Sequence, residues 1–349
     1  MRNACVKRFI KEIVKKVLPH KVYGAIQAVK RDGFRSVLLA VENFCSEKSF
    51  YAKNEKLFNK MAKKGFDIKK DLSFSIKDSL PRWERFLYIK KKFRPLLDLL
   101  PCYSLDGHQI EREKIVWVAW LQGEKNMPAI CKACLSSIKK NYTNNGGGYR
   151  VTLVTLSNVF ELIKIPQAII DKYNKGIIPH AHFSDMIRVC LLAIYGGIWM
   201  DATVFCASPL PEELLDKPLF MFRHLWRGDD SITNSNWLIS ACKNHPVMCL
   251  VRDLLFEYWK RYDYLCDYFI AHFFFTLVFE AYPEYLNAMP IYSNVPPHIM
   301  QIELFRPYNE ERWNEILKMS PVHKLTHKIS EELVDKEGTF YKHILEECR

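Results

Sequence analysis

The chain has 349 residues, with 51 Lys and Arg against 39 Asp and Glu, for a formal net charge of +12 and a pI near 9.1. Its 49% hydrophobic and 13% aromatic content rules out a disordered chain, and its length fits one large domain with an extension, because single cores stop growing beyond roughly 250 to 300 residues. The charge is uneven: residues 1–110 carry 25 Lys and Arg against 11 Asp and Glu, or +14, whereas residues 111–349 carry 26 against 28, or −2.

From Phe9 to Leu18 the apolar residues Phe9, Ile10, Ile13, Val14, Val17 and Leu18 recur at helical spacing, and Lys7, Arg8, Lys11, Lys15 and Lys16 fill the other face. Such a helix suits either an anionic lipid surface or a packed position with a solvated basic face. Basic helical stretches follow at 37–44, 53–70 and 82–94. No apolar leader with a cleavage site opens the chain, and no run reaches the about 20 apolar residues of a membrane-spanning helix, so neither secretion by that route nor a transmembrane helix is expected. The eleven cysteines, odd in number and set in apolar runs, read as reduced thiols in a cytoplasmic compartment. Cys131 and Cys134 form a lone CxxC with no second pair, which reads as helix packing.

Pro101 to Gly107, rich in Pro, Ser, Asp and Gly, marks a boundary between a basic helical extension, 1–110, and a second unit, 111–349. Beyond it, strand and helix alternate. A strand is predicted from Ile115 to Trp120, a helix from Pro128 to Lys140, a strand from Tyr149 to Thr155, and a helix opened by Ile165-Pro166 and running to Lys175. That alternation implies an α/β fold, a mixed sheet with helices on its faces.

The most informative segment runs from His180 to Phe205. Phe183, Ile187, Leu191 and Ile194 form a helical stripe, Gly196-Gly197 follows where a left-handed cap is expected, and Ile198, Trp199 and Met200 make a short buried strand ending at Asp201. A carboxylate then stands at the carboxyl end of a strand, where α/β sheets bind ligands. Asp185 and Arg188, three apart, share one helix face. They suit either sugar hydroxyls and phosphate or an ordinary surface ion pair.

The ordered series Ser184-Asp185-x-x-Arg188, then Gly196-Gly197-Ile-Trp-x-Asp201, resembles the donor-binding core of sugar-nucleotide glycosyltransferases of the GT-A fold, including the large glucosylating toxins. It is most similar to the bacterial capsular polysaccharide synthesis glycosyltransferases, in which Trp-x-Asp-Ala-Thr-Val, here Trp199 to Val204, replaces the general Asp-x-Asp. Val116 to Gly123, Asn236-Trp237, Asp267-Tyr-Phe269 and Ser320 to Lys328 extend the resemblance over roughly residues 111–330. It implies a GT-A-like sheet and a retaining transfer of sugar from a nucleotide donor, expected to be UDP-linked, to a growing surface polysaccharide or lipid-linked glycan.

By that resemblance, Trp120 and Gln122 hold the nucleotide base, and Ser184, Asp185, Arg188, Gly197 and Asp201 complete the donor site. Asp201 and His323 become ligands of Mn2+ or Mg2+, with Thr203 standing where a second carboxylate is usual. Lys324 meets the leaving phosphate, while Asn236, Trp237, Asp267 and His272 fall on the acceptor side. Residues Phe273 to Phe275 and Phe279 read as helix packing.

Two other functions compete. A nucleic-acid-binding protein would explain the basic first third, but there is no helix-turn-helix spacing, zinc framework or aromatic RNA-binding signature, and residues 111–349 have no positive excess. A domain that binds a sugar nucleotide without turnover would explain Thr203. The charge distribution instead places a transferase at the cytoplasmic face of an anionic membrane, as a peripheral protein with no nucleic-acid partner.

Overall fold

A computed structural model describes residues 74–105, 111–144, 148–224 and 230–348. The basic helix expected at Phe9 to Leu18, and the stretches at 37–44 and 53–70, lie outside the described residues.

Helix α1 spans Phe74–Leu97 and is followed by strand β1, Ile115–Ala119; helix α2, Ala129–Lys139; strand β2, Arg150–Val154; and helix α3, Gln167–Asn174. Helix α4, His180–Tyr195, leads into β3, Gly197–Met200, and then β4, Val204–Cys206. Strands β5, Leu219–Arg223, and β6, Asn234–Ala241, precede helices α5, Pro246–Arg261; α6, Ile270–Ala281; and α7, Val295–Glu303; strand β7 is Val322–Lys324. The predicted strands and helices of 115–175 are all present, each shorter by a residue or two at its ends, where backbone groups lose their ladder or helical partners.

The main sheet has the order β2-β1-β3-β6-β5, parallel for β2, β1 and β3 and antiparallel where β6 joins β3 and β5. The expected mixed α/β fold is therefore present, and a separate antiparallel pair, β4 with β7, lies alongside it. The strand period of two sends Trp117, Trp199 and Ile239 into an apolar cluster with α4, α5 and α6. Val116, Val118, Ile198 and Leu238 go into a second cluster with α2, β4 and β7. Phe273, Phe274, Phe275 and Phe279 are buried in the first cluster, as the packing reading requires.

Gly196 and Gly197 carry φ values of 68° and 96°. The ψ of −153° at Gly196 lies outside the left-handed helical well, so the pair turns the chain directly into β3 rather than forming a helical cap. Space also demands glycine, because a Cβ on Gly196 would stand 2.7 Å from the Lys243 nitrogen, and one on Gly197 2.7 Å from the Ile115 carbonyl oxygen.

Packing does not stop at residue 110. Phe86, Ile89, Phe93 and Leu97 of α1 are buried in the first cluster, with Phe93 edge-on to Phe274 at 5.0 Å. Arg85 pairs with Asp267, and Lys90 with Glu280 at 2.7 Å. The boundary drawn at 110 from composition is corrected on this point: α1 is basic on its outer face but belongs to the domain core, because burial is decided by its apolar stripe and not by its mean charge.

Candidate active site

The site forms where β3 ends. Asp201 follows the last residue of that strand, and its backbone N–H donates to the Trp237 carbonyl on β6 at 2.8 Å, which holds the carboxylate at the carboxyl end of β3. One carboxylate oxygen, Oδ1, accepts from Arg188 Nη2 and from Trp199 Nε1, both at 2.9 Å. The other, Oδ2, accepts from Lys324 Nζ at 2.8 Å. Lys324 also donates to Thr203 Oγ1 at 2.6 Å.

Arg188 is the hinge of the cluster. Its Nη1 donates to Asp185 Oδ1 at 2.6 Å, so one guanidinium bridges two carboxylates, and its Cζ lies 4.9 Å from the centre of the Trp199 ring. Asn236 Nδ2 reaches the same Asp185 oxygen at 3.3 Å. The Arg188 side chain is 6% exposed, which separates it from the ordinary surface ion pair that i, i+3 spacing also permits.

The two carboxylates differ in charge preference. Burial alone would raise Asp201, but Lys324 and Arg188 hold it below the usual carboxylate range. Burial pushes Asp185 up to about 6, against the pull of Arg188. Burial, with Arg188 and His224 adding positive potential, pulls His272 down to about 3, so its imidazole is neutral. Among the described residues, His272 Nδ1 and Arg188 Nε are buried without a hydrogen-bond partner.

At the end of β1, Trp120 is half-buried, donating from Nε1 to the Asn126 carbonyl at 3.2 Å and meeting His327 edge-on at 5.4 Å. His327 feels both Lys324 and Asp201, so this turn closes on the segment after β7 beside the carboxylate cluster. Gln122 is exposed in the same turn. Ser184 is half-buried next to Asp185, and Gly197 opens β3.

Three expected site residues are placed elsewhere. His323 is fully buried, with its ring 6.4 Å from that of Phe205, and burial pulls its imidazole down to about 4, partly offset by the Ser320 backbone. As the neighbour of Lys324 on a strand, it faces away from Asp201. Asp267 is not on an acceptor surface: it pairs with Arg85 of α1 and accepts from the Phe269 N–H at 2.7 Å. Trp237 is buried and stacked on Phe222 at 5.0 Å, and it contributes to the site through its backbone carbonyl.

The separation of Asn236 from Trp237 has a clear cause. Adjacent residues of a strand point to opposite faces, so Asn236 reaches Asp185 while Trp237 turns to Phe222; the pairing of β6 with β5 is irregular here, its register shifting from Ile239 opposite Met221 to Asn234 opposite Arg223. Trp199, a buried residue of β3 and the first of the Trp-x-Asp series, donates from its indole to Asp201, and the i, i+2 spacing puts the two on one face.

A profile of the family described as "Capsular polysaccharide synthesis protein" matches residues 87–344. The chain belongs to that family. The match begins inside α1, consistent with the packing of that helix in this capsular polysaccharide synthesis protein. No curated protein sequence matches the chain. Among solved structures, it is similar to "PaToxG Glycosyltransferase" at 14% identity, covering 76% of this chain and 94% of that one with a TM-score of 0.35.

The resemblance that names Mn2+ or Mg2+ for this position can be tested on the side chains. Asp201 has both oxygens engaged by cations, residue 203 is Thr, and His323 faces the other way. Among the described residues, no three His, Cys, Asp or Glu side chains gather to share an ion. The arrangement does not fit a divalent metal held by this capsular polysaccharide synthesis protein.

Proposed function

We propose that this protein is a glycosyltransferase that moves a sugar from a nucleotide-linked donor, UDP-linked in the first instance, to a growing surface polysaccharide or lipid-linked glycan. The observation that carries the reading is Asp201 at the carboxyl end of β3, joined to Asp185 by the buried Arg188 and to the last strand by Lys324. Membership of the capsular polysaccharide synthesis family supplies the biological setting.

In the reaction, the acceptor hydroxyl oxygen forms a bond to the anomeric carbon, the bond from that carbon to the diphosphate oxygen breaks, and the hydroxyl proton passes to the departing diphosphate. Asp185, fixed by Arg188 and Asn236, offers carboxylate oxygen to donor hydroxyls. Lys324 and Arg188 place positive charge where the diphosphate departs. Neutral His272, whose Nδ1 has no hydrogen-bond partner among the described residues and which feels the charges of Arg188 and Asp201, suits an acceptor hydroxyl. Trp120 and the turn after β1 offer a face for the base.

Among the described residues, no helix is long and apolar enough to cross a membrane. The basic first third supports a peripheral position on an anionic surface. Thr203, where a second carboxylate is usual, favours one further reading, donor binding without turnover.

Titrating the purified protein with a panel of sugar nucleotides, then following nucleoside diphosphate release with and without glycan acceptors, tests the proposal. Saturable binding with release of one nucleotide supports it. Absence of binding to every donor would remove both readings, and binding without release in the presence of a capsular acceptor would leave the non-catalytic one.

A further inference from the structure

We infer that the cation facing the donor's diphosphate is built into the chain: the Lys324 ammonium occupies the position between residues 201 and 203 that a divalent ion would need, and donor binding proceeds without metal. This rests on the donor-site reading of Asp201.

In an Asp-x-Asp arrangement, two oxygen-bearing side chains two residues apart converge on one cation. Here Asp201 Oδ2 and Thr203 Oγ1 do converge, and what lies between them is Nζ of Lys324, at 2.8 and 2.6 Å. The alignment is backed by the main chain. Lys324 stands opposite Val204 in the β4–β7 ladder, and the Leu325 N–H donates to the Thr203 carbonyl at 2.8 Å, so the lysine is clamped beside the 201–204 turn at both its own residue and the next. A Thr hydroxyl is a weak ligand for a divalent ion but a good acceptor from an ammonium.

The remaining oxygen of Asp201 is no freer, since it takes Arg188 and Trp199 together. A metal would have to displace an ammonium or a guanidinium from a largely buried carboxylate, would meet the hydroxyl of Thr203 rather than a carboxylate at residue 203, and would find Asp185 already held by Arg188. An ammonium carries three donors, and Asp201 and Thr203 engage two of them. The third is available to a phosphate oxygen. His323, the expected metal ligand, serves the ladder and the packing against Phe205.

The test uses UDP, GDP and ADP as probes, titrated calorimetrically into the full-length protein in EDTA and again in Mn2+, with free Mn2+ followed by electron paramagnetic resonance. The wild type is expected to bind its preferred diphosphate with the same Kd in both buffers and to leave the Mn2+ signal undiminished in the absence of nucleotide. Lys324→Ala should weaken binding in EDTA about tenfold or more, with Lys324→Arg recovering part of it. The double variant Thr203→Asp, Lys324→Ala should acquire Mn2+ binding and make nucleotide binding metal-dependent. Wild-type binding that requires Mn2+ overturns the inference while leaving the donor reading in place. Failure of every diphosphate in both buffers overturns the donor reading, and this inference with it.

Discussion

Lys324 donates at 2.8 Å to Asp201, a residue 123 positions earlier in the chain. The contact joins the last strand to the end of the central one and completes a chain of charges, Asp185, Arg188, Asp201 and Lys324, in which each cation touches a carboxylate. Removing any one member leaves its neighbour partly buried and uncompensated, so variants here are expected to act beyond the single contact they delete.

Asp201→Asn should lower transfer by about 100-fold or more, since it removes the charge that orients both Arg188 and Lys324. The carboxylate is 25% exposed and sits at a strand end, so the circular-dichroism spectrum should be unchanged. Turnover at the wild-type rate in this variant would separate Asp201 from the reaction.

Arg188→Lys keeps the charge but cannot bridge two carboxylates with one planar group. Donor KM should rise about tenfold with a fall in kcat, a change that steady-state kinetics reads directly. Full activity would mean that the positive charge alone matters.

Burial raises the Asp185 carboxyl to about 6. The ionised form accepts hydrogen bonds and the protonated form loses that capacity, so kcat/KM should fall as pH drops through about 6 and level off above it. Asp185→Asn should abolish that limb, with lower activity at every pH. A limb that persists in the variant belongs to another group.

Gly196→Ala puts a Cβ 2.7 Å from a backbone nitrogen at a φ of +68°. A loss of about 1–3 kcal/mol is expected from the conformational strain alone. Urea unfolding monitored by tryptophan fluorescence measures it, and an unchanged midpoint would mean that the turn relaxes.

Asp267→Asn removes the charge that pairs with Arg85 and should loosen α1 on the core without unfolding it. Hydrogen exchange in 82–97 should quicken, while amides of β1 and β3 stay protected. A uniform response across the sheet would show that α1 is not a separate cooperative element.

The local parts of this protein were legible because they depend on neighbours in sequence. Alternating periods located β1, α2, β2 and α4, paired glycines located the turn before β3, and the strand-end position singled out Asp201. The spacing of Asp185 and Arg188 put them on one helix face, and the family series around them pointed to Lys324 as well. The turn-rich segment Pro101 to Gly107 and the basic composition before it suggested a separate extension, whereas packing responds to the stripe of Phe86, Ile89, Phe93 and Leu97, which joins α1 to the core.

By itself, then, the sequence determined an α/β chain with a carboxylate at the end of a short buried strand and a basic first third. Tertiary structure alone decided which cations meet that carboxylate, that Asn236 turns to Asp185, that Asp267 serves α1, and that Lys324 rather than His323 faces the site. Periodicity states which residues share a face, but two adjacent strand residues differ in role only once the partner strand and its register are known, and for His323 and Lys324 that partner lies more than a hundred residues away.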